Sequence, residues 1–272
     1  MDNSTNGPKN GHAAQTVEIP LTSWYAAMKR ALQQDAPEEG ARLAQVVLQH
    51  LPRHLWTYRW LLRLTWLLRR WEEGEEWGRR LLQADPGHAL AWRALARAAE
   101  QRGQRARAQA MWQRAFEMAP FEPEIRAGLA RTSLEAPHAL AFNPACLATL
   151  YRLGGRWAEA AALYRALVRA EPRRIDFQVC LMVALWQLQA REEAYHLARH
   201  LVQSQPHLLM GWVVLEAVGD ENDWALAQHP IQSMDPDGEF VRRVYRVPRP
   251  QETFHLRVTE EEARLLDAGE RA

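Results

Sequence analysis

Cysteine is almost missing from this sequence: Cys146 and Cys180 are the only two in 272 residues. Two thiols are too few for a disulfide framework and sit at no metal-ligand spacing, so a reducing cytoplasm is the expected setting and no metal is expected. Long apolar runs are missing as well. The best candidate, residues 208–218, is broken by Gly211 and Glu216 and falls short of the ~18 residues of a spanning helix, so no membrane insertion is expected. The first twenty residues are polar, without the apolar core of a secretory signal, and are expected to be disordered. No phosphate-cradling Gly loop, Gly-x-Ser-x-Gly elbow, His-Glu-x-x-His or Cys-x-x-Cys occurs, so neither catalysis nor a cofactor has an anchor. His196 and His200 share a helix face, but beside Arg199 and with only Glu192 and Glu193 near they read as surface histidines rather than half a metal site. Lysine is scarce too: of 34 basic residues only Lys9 and Lys29 are not arginine.

What is present is ordinary in bulk and unusual in arrangement. Hydrophobic residues make up 47% and charged residues 25%, both near globular averages, while tryptophan is abundant at 12. The prolines keep a ruler: Pro52, Pro86 and Pro120 stand 34 apart, and Pro172 and Pro206 are again 34 apart after an interval of 52, one repeat plus 18 residues. Between them the pattern reads as two amphipathic helices, a short loop and a stop, as in Ala84-Asp85-Pro86 and Ala170-Glu171-Pro172. In the unit covering residues 141–174, Pro144 suits the first helical turn, Gly154-Gly155 breaks the helix and Trp157 opens the next. Ala148 and Ala160 are small enough for helix contact, and Leu147, Tyr151 and Tyr164 are expected to fill the gap to the neighbouring hairpin.

This distribution of small, aromatic and proline positions resembles the tetratricopeptide family. Trp92, Leu95, Ala96, Ala99, Gly103, Ala108, Trp112 and Ala115 carry the likeness in one unit, and Leu181, Leu185, Ala194, Ala198 and Leu201 in another. Two earlier units fit less well, with Met28 and Leu62 at small places and Gly78 where an aromatic belongs, Trp77 beside it being the candidate substitute. The resemblance implies an all-α, right-handed solenoid of helical hairpins over residues 21–228: about five full hairpins, a half-repeat near 121–138 and a partial last unit whose second helix is short. Residues 229–272 form a C-terminal extension, expected to hold two short strands or extended segments over 240–247 and 253–258. Thr259 with Glu262 is a capping-box signature for a final helix.

In this family the first helix of each hairpin lines the concave groove, and the resemblance places partner contacts there. Reading one groove place through the first four units gives Lys29, Arg63, Arg97 and Arg131, each 34 from the last, with Arg59 and Arg93 one turn earlier and Tyr25, Trp56 and Trp60 beside them. Beyond residue 140 the same places turn apolar, with Cys146, Val179, Cys180, Val183 and Trp186. Charge divides likewise. Residues 24–134 carry 18 basic and 12 acidic groups, and residues 135–272 carry 15 and 19, so the net charge of +1 is a cancellation. An open apolar groove is a liability. Residues 240–258 are expected to pack on or cap the C-terminal end of the solenoid and to leave the cationic half open.

The expected function is a non-enzymatic scaffold or adaptor whose protein or peptide partner presents an acidic segment or a C-terminal tail, because arginine forks pair with carboxylates and stack on Trp. Nucleic-acid binding is the weaker alternative, given the near-neutral total charge. Self-association through the aromatic-rich residues 56–77 is the other.

Overall fold

The computed structural model describes residues 16–133, 140–250 and 252–268. Helices come in antiparallel pairs: α1 (Leu21–Gln33) with α2 (Pro37–His50), α3 (Leu55–Leu67) with α4 (Trp71–Ala84), and α5 (Ala89–Gln101) with α6 (Arg105–Met118). A single helix α7 (Pro123–Thr132) follows. Then α8 (Pro144–Leu153) pairs with α9 (Trp157–Ala170), α10 (Ile175–Gln187) with α11 (Arg191–Ser204), and α12 (Leu209–Val218) with α13 (Glu221–Met234). Helix α7 lies in the segment expected to be a half-repeat, residues 121–138, of which 134–138 lie outside the described residues.

Five of the six hairpins turn by the same device. Asp35, Arg69, Gly103, Gly155 and Gln189 hold positive φ of 55, 52, 70, 70 and 60°, and they follow the proline ruler. The next amide reaches back five residues in each case: Ala36 to Ala31, Arg70 to Thr65, Gln104 to Ala99, Arg156 to Tyr151 and Ala190 to Leu185, at 2.8–3.0 Å. This is the Schellman closure, which favours glycine at the left-handed place. Only two of the five turns have it. The proline end is just as regular, because a side chain six residues on donates to the proline carbonyl: Trp92 to Pro86 (2.8 Å), Arg126 to Pro120 (3.2 Å), Gln178 to Pro172 (2.7 Å), Trp212 to Pro206 (2.8 Å), and Tyr58 to Pro52. Trp92 and Trp212 therefore seal inter-repeat loops.

Small residues sit where helices touch. Ala148 and Ala160 are fully buried, while Leu147, expected to fill a gap, is 40% exposed. Gly78 has no room for an aromatic, since a Cβ there would meet Leu95 at 2.6 Å and the Ala91 carbonyl at 3.1 Å; Trp77 instead packs on Tyr58. At Gly128 a Cβ would strike the Trp112 ring at 2.4 Å, so α7 docks on that indole.

Several expectations need correction at the two ends. Helix α13 is not short; it runs fourteen residues through Pro230 and stops at Asp235-Pro236, a sixth copy of the stop signal. The carbonyl left without an amide partner at Pro230 belongs to Leu226, whose residue is 63% exposed, so water can serve it. A capping box between Asp220 and Asp223 starts the helix abruptly and shortens this repeat. Residues 241–245 are a π-helical turn, not a strand, because the Asp235 carboxylate accepts the amides of Phe240 (2.8 Å) and Val241 (3.0 Å) and winds the chain there. The strand expected over 253–258 exists as β2 (His255–Thr259), and its partner is β1 (Thr16–Pro20), from the segment expected to be disordered. They pair antiparallel from Thr16↔Thr259 to Pro20↔His255, placing Leu256 and Val258 inward. Helix α14 (Glu260–Ala268) follows the predicted cap, with the Glu262 carboxylate accepting from the Thr259 amide at 2.7 Å.

The superhelix thus returns on itself. Arg53, after α2, reaches His207 at 2.8 Å, and His50 meets Glu262 at 3.2 Å. Residues 235–250 run as a strap through the concave side, burying Phe240, Val241, Tyr245 and Val247. The strap touches α1 through Tyr25, which donates to Asp237 (2.8 Å) and accepts from His54 (3.1 Å); that leaves His54 Nδ1 to accept from Thr57 (2.7 Å). It touches the end of α4 through Tyr245, which donates to Asp85 at 2.7 Å, and α12 through a two-pronged Arg249–Glu216 pair at 2.7 and 3.3 Å. The segment therefore spans the groove from Tyr25 on α1 to Glu216 on α12 and lies over cationic as well as apolar places, not at the C-terminal end alone.

Gln189→Gly is expected to raise stability by roughly 0.5–1 kcal/mol, because glycine relieves the left-handed penalty without disturbing the closure; a denaturant melt checks it. Phe240→Ala is expected to cost about 3–5 kcal/mol if the strap folds with the solenoid. Amide exchange at Phe240 and Val241 as slow as in α10 is the companion expectation.

Candidate functional site

The residues of the expected ladder stand on α1, α3, α5 and α7, and most of them are engaged within the chain. Arg59 lies over Trp56 (4.8 Å), Arg63 over Trp60 (5.7 Å), Arg93 over Trp66 (4.0 Å), Arg97 over Trp71 (5.1 Å) and Arg131 over Trp112 (6.0 Å), all within cation–π range. The outer rungs are also neutralised: Glu100 binds both Arg97 and Arg131 at 3.2 Å, and Glu124 pairs with the buried Arg93. Lys29 is exposed on α1, away from the others' cavity. Trp56 and Trp60 are each 8% exposed and Tyr25 is bonded to the strap, so none of the three predicted aromatics presents a free face.

Three arginines of the predicted set, Arg59, Arg63 and Arg93, converge on a cavity of about 370 Å³ between the solenoid and the strap. Sequence reasoning missed the cations that complete it: Arg152 at the end of α8, and Arg243 and Arg246 from the strap. Arg152 lies in the last turn of α8, and the strap arginines fall in a segment expected to be a strand or extended. Arg246 is held at φ 58°, a left-handed conformation uncommon for arginine, and it donates to the Leu153 carbonyl at 3.4 Å. The acidic lining is Asp85, Glu122 and Asp176. Asp176 is already clamped by Arg174 at 2.6–3.2 Å within a buried cluster that includes Glu117, and Asp85 accepts from Tyr245.

The electrostatics follow from burial and from this excess of cations. Desolvation, then the neighbouring charges of Arg63 and Arg243, holds the Arg59 guanidinium down at about 10. His88, the residue before α5, is pushed down to about 3 by burial and then by Arg59, Arg63 and Arg93, so it is neutral. Its Nδ1 is buried without a partner, as is Nε of Arg93. Burial raises the Asp85 carboxyl to about 6, against the opposing pull of the Tyr245 hydrogen bond and the Arg152 charge.

The apolar half of the predicted groove divides differently. Val179 and Cys180 line the same cavity, Val183 is buried beneath the strap, and Trp186 borders a second cavity of about 480 Å³ with Glu216, Trp224 and Arg249. Cys146 is not a groove residue. It is packed with Trp112, Phe116 and Ile125, because the single helix α7 brings the start of α8 against α6. His196 and His200 are exposed, and no three His, Cys, Asp or Glu side chains among the described residues could hold a metal ion. No helix among them is long and apolar enough to cross a membrane.

No protein-family model and no curated protein matches the chain. Among solved structures it is similar to a MamA mutant, at 15% identity and TM-score 0.26 over 66% of this chain and 92% of that one. It is similar also to PilW, described as a widely conserved type IV pilus biogenesis factor, at 14% identity and TM-score 0.35 over 82% and 97%. A third is a chain from Naa15/Naa10 bound to HypK-THB, at 14% and TM-score 0.34, where 83% of this chain spans only 34% of that one. The fold is a helical-repeat array, consistent with the tetratricopeptide architecture. That statement rests on the chain's own paired helices and 34-residue step.

Asp85→Asn keeps an acceptor for Tyr245 and removes a charge. A carboxyl raised from 3.8 to about 6 contributes stability that is present below pH 3.8 and lost as pH rises through 6. The variant is therefore expected to gain on the wild type, by up to about 3 kcal/mol between pH 4 and pH 7, in paired denaturant melts.

Proposed function

We propose that the chain is a non-enzymatic interaction scaffold that receives an acidic segment, or a carboxylate-ended tail, at the basic cavity between the solenoid and its strap. The observation that carries this reading is the imbalance of the lining: of its six arginines Arg93 and Arg243 are paired with Glu124 and Glu239, and the other four, Arg59, Arg63, Arg152 and Arg246, face three acids of which two are engaged elsewhere. Single exposed pairs contribute little, but several cations held on a rigid frame add up without a large ordering cost. The site is narrower than a whole groove, since Arg93, Arg97 and Arg131 already have carboxylate partners. Nucleic-acid binding loses its stacking platform, because the predicted aromatics are buried under arginines or bonded to the strap. Self-association through residues 56–77 loses its aromatic face for the same reason: Trp66 and Trp71 pack on each other, and Tyr58 on Trp77.

Arg59→Glu with Arg63→Glu is expected to weaken binding of a labelled Asp/Glu-rich peptide by roughly 100-fold, tenfold per reversal. Fluorescence anisotropy at low salt measures this, with Arg257→Glu, far from the cavity, as the unaffected control. Equal affinity in the double variant would remove the cavity from the reading.

A further inference from the structure

We infer that this cavity is a phosphoryl-group site, taking a phosphate monoester rather than a single carboxylate; the inference rests on the cavity being the scaffold's ligand site and narrows its ligand. Charge comes first. The lining holds six arginines, drawn from α3, α5, α8 and the strap; Arg93 pairs with Glu124 and Arg243 with Glu239, while Arg59, Arg63, Arg152 and Arg246 face three acids, two of which are engaged by Arg174 and Tyr245. One carboxylate carries one charge and two oxygens, which a single arginine fork satisfies. A phosphate monoester carries close to two charges and three acceptor oxygens, which suits several forks arriving from different directions.

The unpaired groups point the same way. His88 is 6% exposed and Arg93 8% exposed; both line the cavity, and each keeps a buried nitrogen, Nδ1 and Nε, without a partner. An anion seated there would accept from Nε of Arg93, and from the neutral imidazole in the tautomer that protonates Nδ1. Helix α5 opens on the same space: Gly87, His88, Ala89 and Leu90 line it, and no side chain caps the helix. The first amides of a helix lack intrahelical partners and carry partial positive charge, the usual cradle for a phosphate. Room is adequate, because about 370 Å³ accommodates the group that bears the phosphate, against the wall formed by Leu90, Met118 and Val179.

Calorimetric titration of the full chain with phenyl phosphate, and with benzoate as its carboxylate counterpart, tests the inference. Phenyl phosphate is expected to bind at least tenfold more tightly than benzoate, and to lose at least tenfold in Arg243→Ala and in Arg63→Gln. Arg243 is 68% exposed at the side chain and pairs with Glu239, so the first variant is expected to melt like the wild type. Equal affinity for the two probes, or phenyl phosphate binding untouched by Arg243→Ala, overturns the inference. A phosphoserine peptide that binds more tightly than phenyl phosphate identifies a protein source for the group, and the reverse order identifies a small phosphorylated molecule; both support the site. If an Asp/Glu-rich peptide binds and neither phosphate probe does, the phosphoryl assignment fails and the scaffold reading stands. If phenyl phosphate binds and no peptide does, only the scaffold reading fails.

Discussion

The structure depends on one constraint: the apolar floor of a helical-repeat groove has to be covered. Val179, Val183, Val213 and Val214 are too extensive a surface to leave in water, and the chain covers them with its own residues 235–250. Burial of Phe240, Val241, Tyr245 and Val247 contributes on the order of 1.5–3 kcal/mol for each large side chain. Polar groups that accompany them into the groove find partners, the Phe240 and Val241 amides in Asp235, Tyr245 in Asp85, and Asp237 in Tyr25. Without that matching the same burial would be offset by unpaired donors and acceptors.

Covering the floor also reshapes the electrostatics. The strap comes from the acidic half of the chain, yet it carries Arg243 and Arg246 to the basic half, where they face Arg59 and Arg63. Farther along, Glu100 and Glu124 quench the ladder. A cationic stripe along the whole groove becomes a single cavity whose ends are closed by the strap on one side and by ion pairs on the other. The β1–β2 pairing and the His50–Glu262 contact then join the last segment to the first, so the strap is held at both ends.

Much of this was legible in the sequence, and for a common reason. The hairpins, the half-repeat at α7, the cap of α14 and the strand at 255–259 all follow from contacts within about one repeat, which leave a periodic or local signature. The left-handed turn residues and the side chains that seal the proline carbonyls obey the same 34-residue step, and the second could have been read from Tyr58, Trp92 and Trp212. The misreadings share a cause too. The Asp235-Pro236 stop was passed over because a shortened loop moved it off the ruler, and the π turn at 241–245 has the alternation of a strand but is wound by a carboxylate six residues earlier.

By itself the sequence determined the repeat, the sign of charge along the groove and the rungs of the ladder, because each is a matter of which residue stands at which helical place. Only the tertiary structure decided which arginines remain open to a ligand. That depends on carboxylates about 30 residues away, Glu100 for Arg131 and Glu124 for Arg93, and on a strap separated from Arg59 by most of the chain. The strap's contacts carry no period, because they arise where the superhelix closes and not within a repeat, whereas the two ion pairs, each spanning 31 residues, join α5 to the next first helix, α7.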